Sequence, residues 1–246
     1  MANWSDPRTT AAPITRTPTR DMARDAGLRS YMLSVYNYMA SGVMLTGIVA
    51  LLFSWGGDSS PAATVFYQPG LLKFAIMFSP LIFVMVMSFG INRLSTAAAQ
   101  GLFWAFAAVM GLSMSTIFLT YTGPSIALTF FATTAAFLSL SLYGYTTKKD
   151  LTGFGTFLIM GLVGLIVASV LNLFFQSSVM SMVISAIGVL LFAGLTAYDT
   201  QRIKGMYYQV AGTDFVGKAV ILGALSLYLD FVNMFQFLLS FLGNRD

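Results

Sequence analysis

The chain offers few groups for chemistry. It has no histidine and no cysteine, and its nine acidic residues are all aspartates: Asp6, Asp21, Asp25, Asp58, Asp150, Asp199, Asp214, Asp230 and Asp246. Without cysteine there is no disulfide framework and no thiolate metal site. Proton chemistry near neutral pH is left to Asp, Lys or Tyr. Asp230 lies within "ALSLYLDFVNMFQFLLSFLG", residues 224–243, with apolar residues on both sides. A carboxylate in such a segment is costly and marks a functional site unless a partner compensates it. Asp199 lies in "LTAYDTQRIKGMYY", residues 195–208.

Helical spacing gives Asp230 its company. At about 100° per residue, Ser226 falls at about −40° from it, Asn233 at about −60°, Ser240 at about −80° and Gln236 at about −120°. These residues form a polar stripe on an otherwise apolar helix, and such a stripe faces other helices or a water-filled cavity. For Asn233 and Gln236, hydrogen bonding between helices is a sufficient role. Asp230 is different, because holding helices together does not need a group that can ionise.

The turn signal "QVAGTDFVG", residues 209–217, begins ten residues after Asp199 and ends thirteen before Asp230. At about 1.5 Å per residue, an antiparallel hairpin brings the two carboxylates within about 5 Å of the same height. Two carboxylates that meet in a low dielectric cannot both ionise easily. They titrate as a unit and share one proton over some pH range. In a chain without histidine, that makes the pair a natural pH sensor. The plainer reading of Asp199 is an i,i+3 surface ion pair with Arg202. Arg93, in "MSFGINRLSTAAAQG", is either a topology anchor in a short turn or a cation that reaches the pair.

The elements that must position these groups follow from composition. Of 246 residues, 57% are hydrophobic and 9% charged, and the mean hydropathy is +0.78. Runs of about 20 apolar residues recur, each long enough to cross a hydrocarbon core of about 30 Å. The runs are continuous rather than alternating, so they read as helices and not barrel strands. The reading is an all-α membrane protein with seven spans, at 31–55, 71–91, 97–121, 124–145, 152–175, 179–199 and 217–242. Breaks fall at "GGDSSPAA", "TGP", "TTKKD" and "FQSS". In the third of these, Asp150 caps the start of span five.

With the N-terminus in the cytoplasm, eleven of the thirteen basic residues lie inside: Arg8, Arg16, Arg20, Arg24, Arg29, Arg93, Lys148, Lys149, Arg202, Lys204 and Lys218. Lys73 and Arg245 stay outside, and seven spans put the C-terminus there too. The net charge of +4 is thus a topology signal, and no basic patch with interleaved aromatics points to nucleic acid. Residues 1–30 are polar and read as a disordered cytoplasmic tail. They lack the apolar core of a signal peptide, and Asp6, Asp21 and Asp25 argue against a transit peptide. Residues 31–246 read as a single seven-helix transmembrane domain.

At "AYDTQRIK" and "ALSLYLDFVNMFQFLL", and more weakly at "KKDL" and around Arg93, the chain resembles the Bax inhibitor-1 (transmembrane Bax-inhibitor-motif) family, in its bacterial YccA-like branch. The likeness covers about residues 31–243. It implies seven helices, six of them in two layers around a central C-terminal helix. It also implies a pH-dependent calcium leak controlled by an aspartate pair, which falls on Asp199 and Asp230, with an arginine latch at Arg93. The loop between spans six and seven is longer here than in the family, and Arg93 stands without basic neighbours. The branch points to a bacterial inner membrane, and some bacterial members look like regulators or substrates of a membrane-anchored quality-control protease.

The leading expectation is a cation leak channel in the lipid bilayer, gated by protonation of the pair and lined by Ser226, Asn233 and Gln236. Calcium takes six to eight oxygen ligands, so two Asp with Asn and Ser make a loose, transient site suited to passage rather than storage. No resident cofactor is expected. The other reading is an integral-membrane interaction protein that regulates such a protease. An enzyme is not expected. Two membrane aspartates suggest an intramembrane aspartyl protease, but the chain has neither "GxGD" nor "PAL".

Overall fold

A computed structural model describes residues 18–244. Its helices are α1 (Pro18–Phe53), α2 (Pro61–Tyr67), α3 (Leu72–Gly90), α4 (Thr96–Met114), α5 (Ile117–Thr120), α6 (Gly123–Thr146), α7 (Thr152–Phe175), α8 (Ser178–Val210) and α9 (Val216–Leu242). Seven segments are long and apolar enough to cross a membrane: α1, α3, α4 with α5, α6, α7, α8 and α9. The seven expected spans coincide with them.

The breaks carry the helix starts. Ser60, Ser95, Thr122 and Ser177 each accept the amide three residues on and so cap α2, α4, α6 and α8. This satisfies amide hydrogens that have no partner within the helix. Pro61 and Pro124 occupy first-turn positions, where proline's missing N–H costs nothing. Ahead of α7, Asp150 Oδ1 accepts the Thr152 hydroxyl at 2.6 Å and its amide at 2.9 Å. Those bonds hold the Asp150 carboxyl below its ordinary range, the hydroxyl contributing most and the amide next.

α9 is the centre of the molecule. Two thirds of its membrane-length window is buried, 67%, against 11% for α3 and for α7. It packs on α8, α1, α6 and α4, while α3 packs on α4 and α7 on α8. The outer faces of α3 and α7 carry large exposed apolar side chains, Phe89 and Phe174 among them, as a surface against lipid requires. Lipid tails are as apolar as leucine, so close backbone approach and buried hydrogen bonds do the joining. At Gly144 a β-carbon would lie 2.2 Å from the carbonyl oxygen of Ala197, so α6 meets α8 nearly backbone to backbone. Thr46 of α1 donates to the Ala107 carbonyl of α4 at 2.8 Å and shares a 2.6 Å hydrogen bond with Tyr228 of α9.

Two helices are longer than their apolar runs. α1 starts at Pro18, so the end of the expected 1–30 tail is helical; residues 1–17 lie outside the described residues, as do 245 and 246. α8 runs to Val210 rather than stopping near 199. The two extensions support each other. Tyr31 and Tyr207 pack at 5.4 Å between ring centroids, Arg24 lies over the Tyr208 ring, and the Tyr207 hydroxyl occupies the space a β-carbon on Gly27 would need.

Candidate functional site

Leu, Phe and Met cover most of α9, and their burial against four helices fixes which way its stripe points. Asp230 faces a cavity of about 510 Å³ walled by α7, α8 and α9. Asp199 and Arg202 of α8 line the same cavity, as do Ser226 and Asn233 of α9. The structure thus brings the two aspartates to one space, as the hairpin arithmetic requires.

The groups are graded by depth. Arg202 is the most exposed, at 57%, and its Nη1 lies 3.8 Å from Asp199 Oδ1, whose side chain is 14% exposed. Asp230 is deepest, with 4% of its surface accessible. Its Oδ2 is fully enclosed and has no hydrogen-bond partner. Leaving a carboxylate oxygen in that condition is expensive unless a proton, a cation or water answers it.

Asn233 donates from Nδ2 to the Leu229 carbonyl of its own helix at 2.8 Å, so it is not a link between helices. Gln236 is half-buried and lies off the cavity wall. Ser240 is a link, accepting from Ser185 of α8 at 3.1 Å. Between this contact and the aspartates, Phe192 and Phe237 stack at 5.8 Å between centroids on the cavity wall.

Arg93 is elsewhere. It sits exposed in the turn between α3 and α4, and its backbone amide bonds the Gly90 carbonyl. It is not on the cavity wall, and it makes no ion pair among the described residues. In this conformation the cation beside the pair is Arg202, not Arg93. The reason is packing: α3 lies against α4 and not against α9.

The rest of "AYDTQRIK" braces the site. The Tyr198 ring stands over Gly155 of α7. Thr200 shares a 2.9 Å hydrogen bond with Ser141 of α6. Gln201 clamps the α6–α7 turn, accepting the Leu151 amide at 2.9 Å and donating to the Lys149 carbonyl at 2.8 Å. Lys204 donates to the Tyr145 carbonyl at 2.8 Å. These roles were missed from sequence. Gln201 and Lys204 are spaced i,i+3 on one helix face, which was the available signal. Among the described residues no cluster of three or more metal-ligating side chains exists.

A buried carboxylate on the central helix of a seven-span bundle defines a class: a membrane protein with an ionisable group at its core. Residues 28–246 match the family described as inhibitor of apoptosis-promoting Bax1, and the chain belongs to that Bax inhibitor family. A protein of Rickettsia prowazekii is 47% identical over 230 residues, covering 93% of this chain and 95% of its own. A protein of Caulobacter vibrioides is 45% identical over 240 residues, 92% of this chain and 93% of that one. The inner membrane protein YbhL of Escherichia coli is 42% identical over 222 residues, 89% of this chain and 94% of YbhL.

Proposed function

We propose that this protein is a pH-sensitive leak pathway for cations, calcium in particular, in a bacterial inner membrane. The observation that carries the reading is the Asp230 carboxylate, buried with an unpartnered oxygen on a cavity it shares with Asp199. The likeness to the inner membrane protein YbhL supports the location. The basic residues at one end of the bundle support a cytoplasmic N-terminus and an outside C-terminus.

In this mechanism the pair keeps at least one negative charge at higher pH. Arg202 of α8 is drawn to the charge that Asp199 shares with Asp230 of α9 and so favours the closed α8–α9 hairpin, taking the latch role that the family likeness gives to Arg93. Acid adds a proton, removes the charge and loosens the closure. The closed state binds fewer protons than the open one, so raising the pH favours closing and lowering it favours opening. Each unit of pKa difference between the two states changes the gating equilibrium about tenfold. Calcium passes as cargo over the Asp oxygens, Ser226 and Asn233. That is too few ligands to retain it.

The test is calcium flux into proteoliposomes across pH, for the native protein and Asp230→Asn. The native flux should depend on pH and the variant's should be flat. If flux tracks pH equally in the variant, the proposal fails, and a regulator of a membrane-anchored protease becomes the better reading.

A further inference from the structure

A second feature lies on the other side of α9. α1 and α6 both pack on α9 but leave between them a cleft of about 910 Å³ that opens onto the bilayer. Its walls are apolar, Met39 and Val43 from α1 facing Phe137 and Leu138 from α6, with Phe231 of α9 as the floor. The α1 wall runs from Arg29 to Leu51. That is about 33 Å of helix, close to the roughly 30 Å thickness of a hydrocarbon core.

The charge on this cleft is one-sided. Among the described residues Arg29 is the sole charged residue on its wall, is exposed, and makes no ion pair. Lys204 adds a second cation at the same end, lying 4.9 Å over the ring of the wall residue Tyr145. Asp25, one turn before Arg29, is exposed and not within ion-pair distance of it. Near this end the Tyr36 hydroxyl shares a short hydrogen bond with Ser141, a polar tie across the cleft.

We infer that the α1–α6 cleft binds an anionic phospholipid, with an acyl chain between Met39, Val43, Phe137 and Leu138 and the headgroup phosphate on Arg29 and Lys204. An apolar cleft open to the bilayer is filled by chains rather than water. Arginine matches a phosphate with two parallel N–H donors, and an interfacial cation attracts anionic lipid. A helix from a second copy fits less well, because it would need a carboxylate opposite Arg29. Of the described aspartates, Asp58 lies in a short 3-10 helix, Asp150 and Asp214 sit in turns or at their edges, Asp199 and Asp230 face the other cavity, and Asp21 and Asp25 are on α1 itself. The site does not depend on the aspartate cavity or on the leak proposed for it.

The test is native mass spectrometry of the full chain in detergent with phosphatidylglycerol or phosphatidylcholine added. Gly47 supplies a clean block, because it lines the cleft and a β-carbon there meets nothing within 4 Å. The native protein should retain one phosphatidylglycerol in preference to phosphatidylcholine. Arg29→Gln and Lys204→Gln should each reduce that preference roughly fivefold. Arg29→Lys should keep most of it, and Gly47→Phe should lower retention of both lipids. Adducts that ignore Arg29→Gln and Gly47→Phe would show annular lipid only and overturn the site. Dimers that Gly47→Phe dissociates, with no lipid retained, would overturn it in favour of a second copy.

Discussion

Asp230 and Phe231 are neighbours in sequence but belong to opposite halves of the molecule. Asp230 opens on the cavity beside α7 and α8, and Phe231 is the floor of the cleft between α1 and α6. One central helix therefore presents two kinds of space. The first holds two carboxylates, a guanidinium, Ser226 and Asn233 beside a stacked pair of phenylalanines. The second is apolar along a membrane's thickness and charged at one end. In a bilayer, what lines a void decides what fills it: water and ions where polar groups converge, lipid chains where none do.

The largest expected effect breaks the polar side outright. Asp230→Leu removes the ionisable group and fills part of the cavity, so flux and its pH response should both vanish while a folded, seven-span protein remains by circular dichroism. Phe237→Ala should sharpen the contrast by widening the cavity where that ring lines it. Basal flux at neutral pH should rise, with the pH midpoint left in place. A smaller change is expected from Arg202→Gln. Its contact with Asp199 is 3.8 Å and the arginine is largely exposed, so the pair is worth up to about 1 kcal/mol. The flux midpoint should shift by less than about one pH unit, and the difference should shrink at high salt. The smallest effect comes from the other side: Gly47→Phe should leave the pH dependence of flux unchanged. A shifted midpoint there would show that the two spaces communicate, and the Tyr36–Ser141–Thr200 hydrogen bonds would be the route.

Much of this architecture was legible from hydropathy because the solvent is hydrocarbon. Every span must be apolar and helical, and every break must expose polar backbone. The expected 152–175 and the observed Thr152–Phe175 agree to the residue. Hydropathy failed where helices leave the membrane. The polar end of α8, to Val210, packs on α1 at Arg24, Gly27 and Tyr31, contacts that no run of apolar residues announces. That Asp199 and Asp230 line one cavity was legible, because an antiparallel hairpin converts sequence separation into height. Arg93 was not, because no local pattern says that α3 lies on α4. Gln236 went astray for a related reason. A stripe one third of the circumference wide is broader than one cavity, so its edge turns toward neighbours.

The central claim is that Asp199 and Asp230 act as one titrating unit that sets the leak. A double-mutant cycle on calcium flux against pH tests it most directly, using Asp199→Asn, Asp230→Asn and the two together in proteoliposomes. Residues that work as a unit are strongly non-additive. Either single substitution should therefore flatten the pH response nearly as far as the double. Independent, additive shifts from the two single variants, or a double variant that still responds to pH as the native protein does, would contradict it.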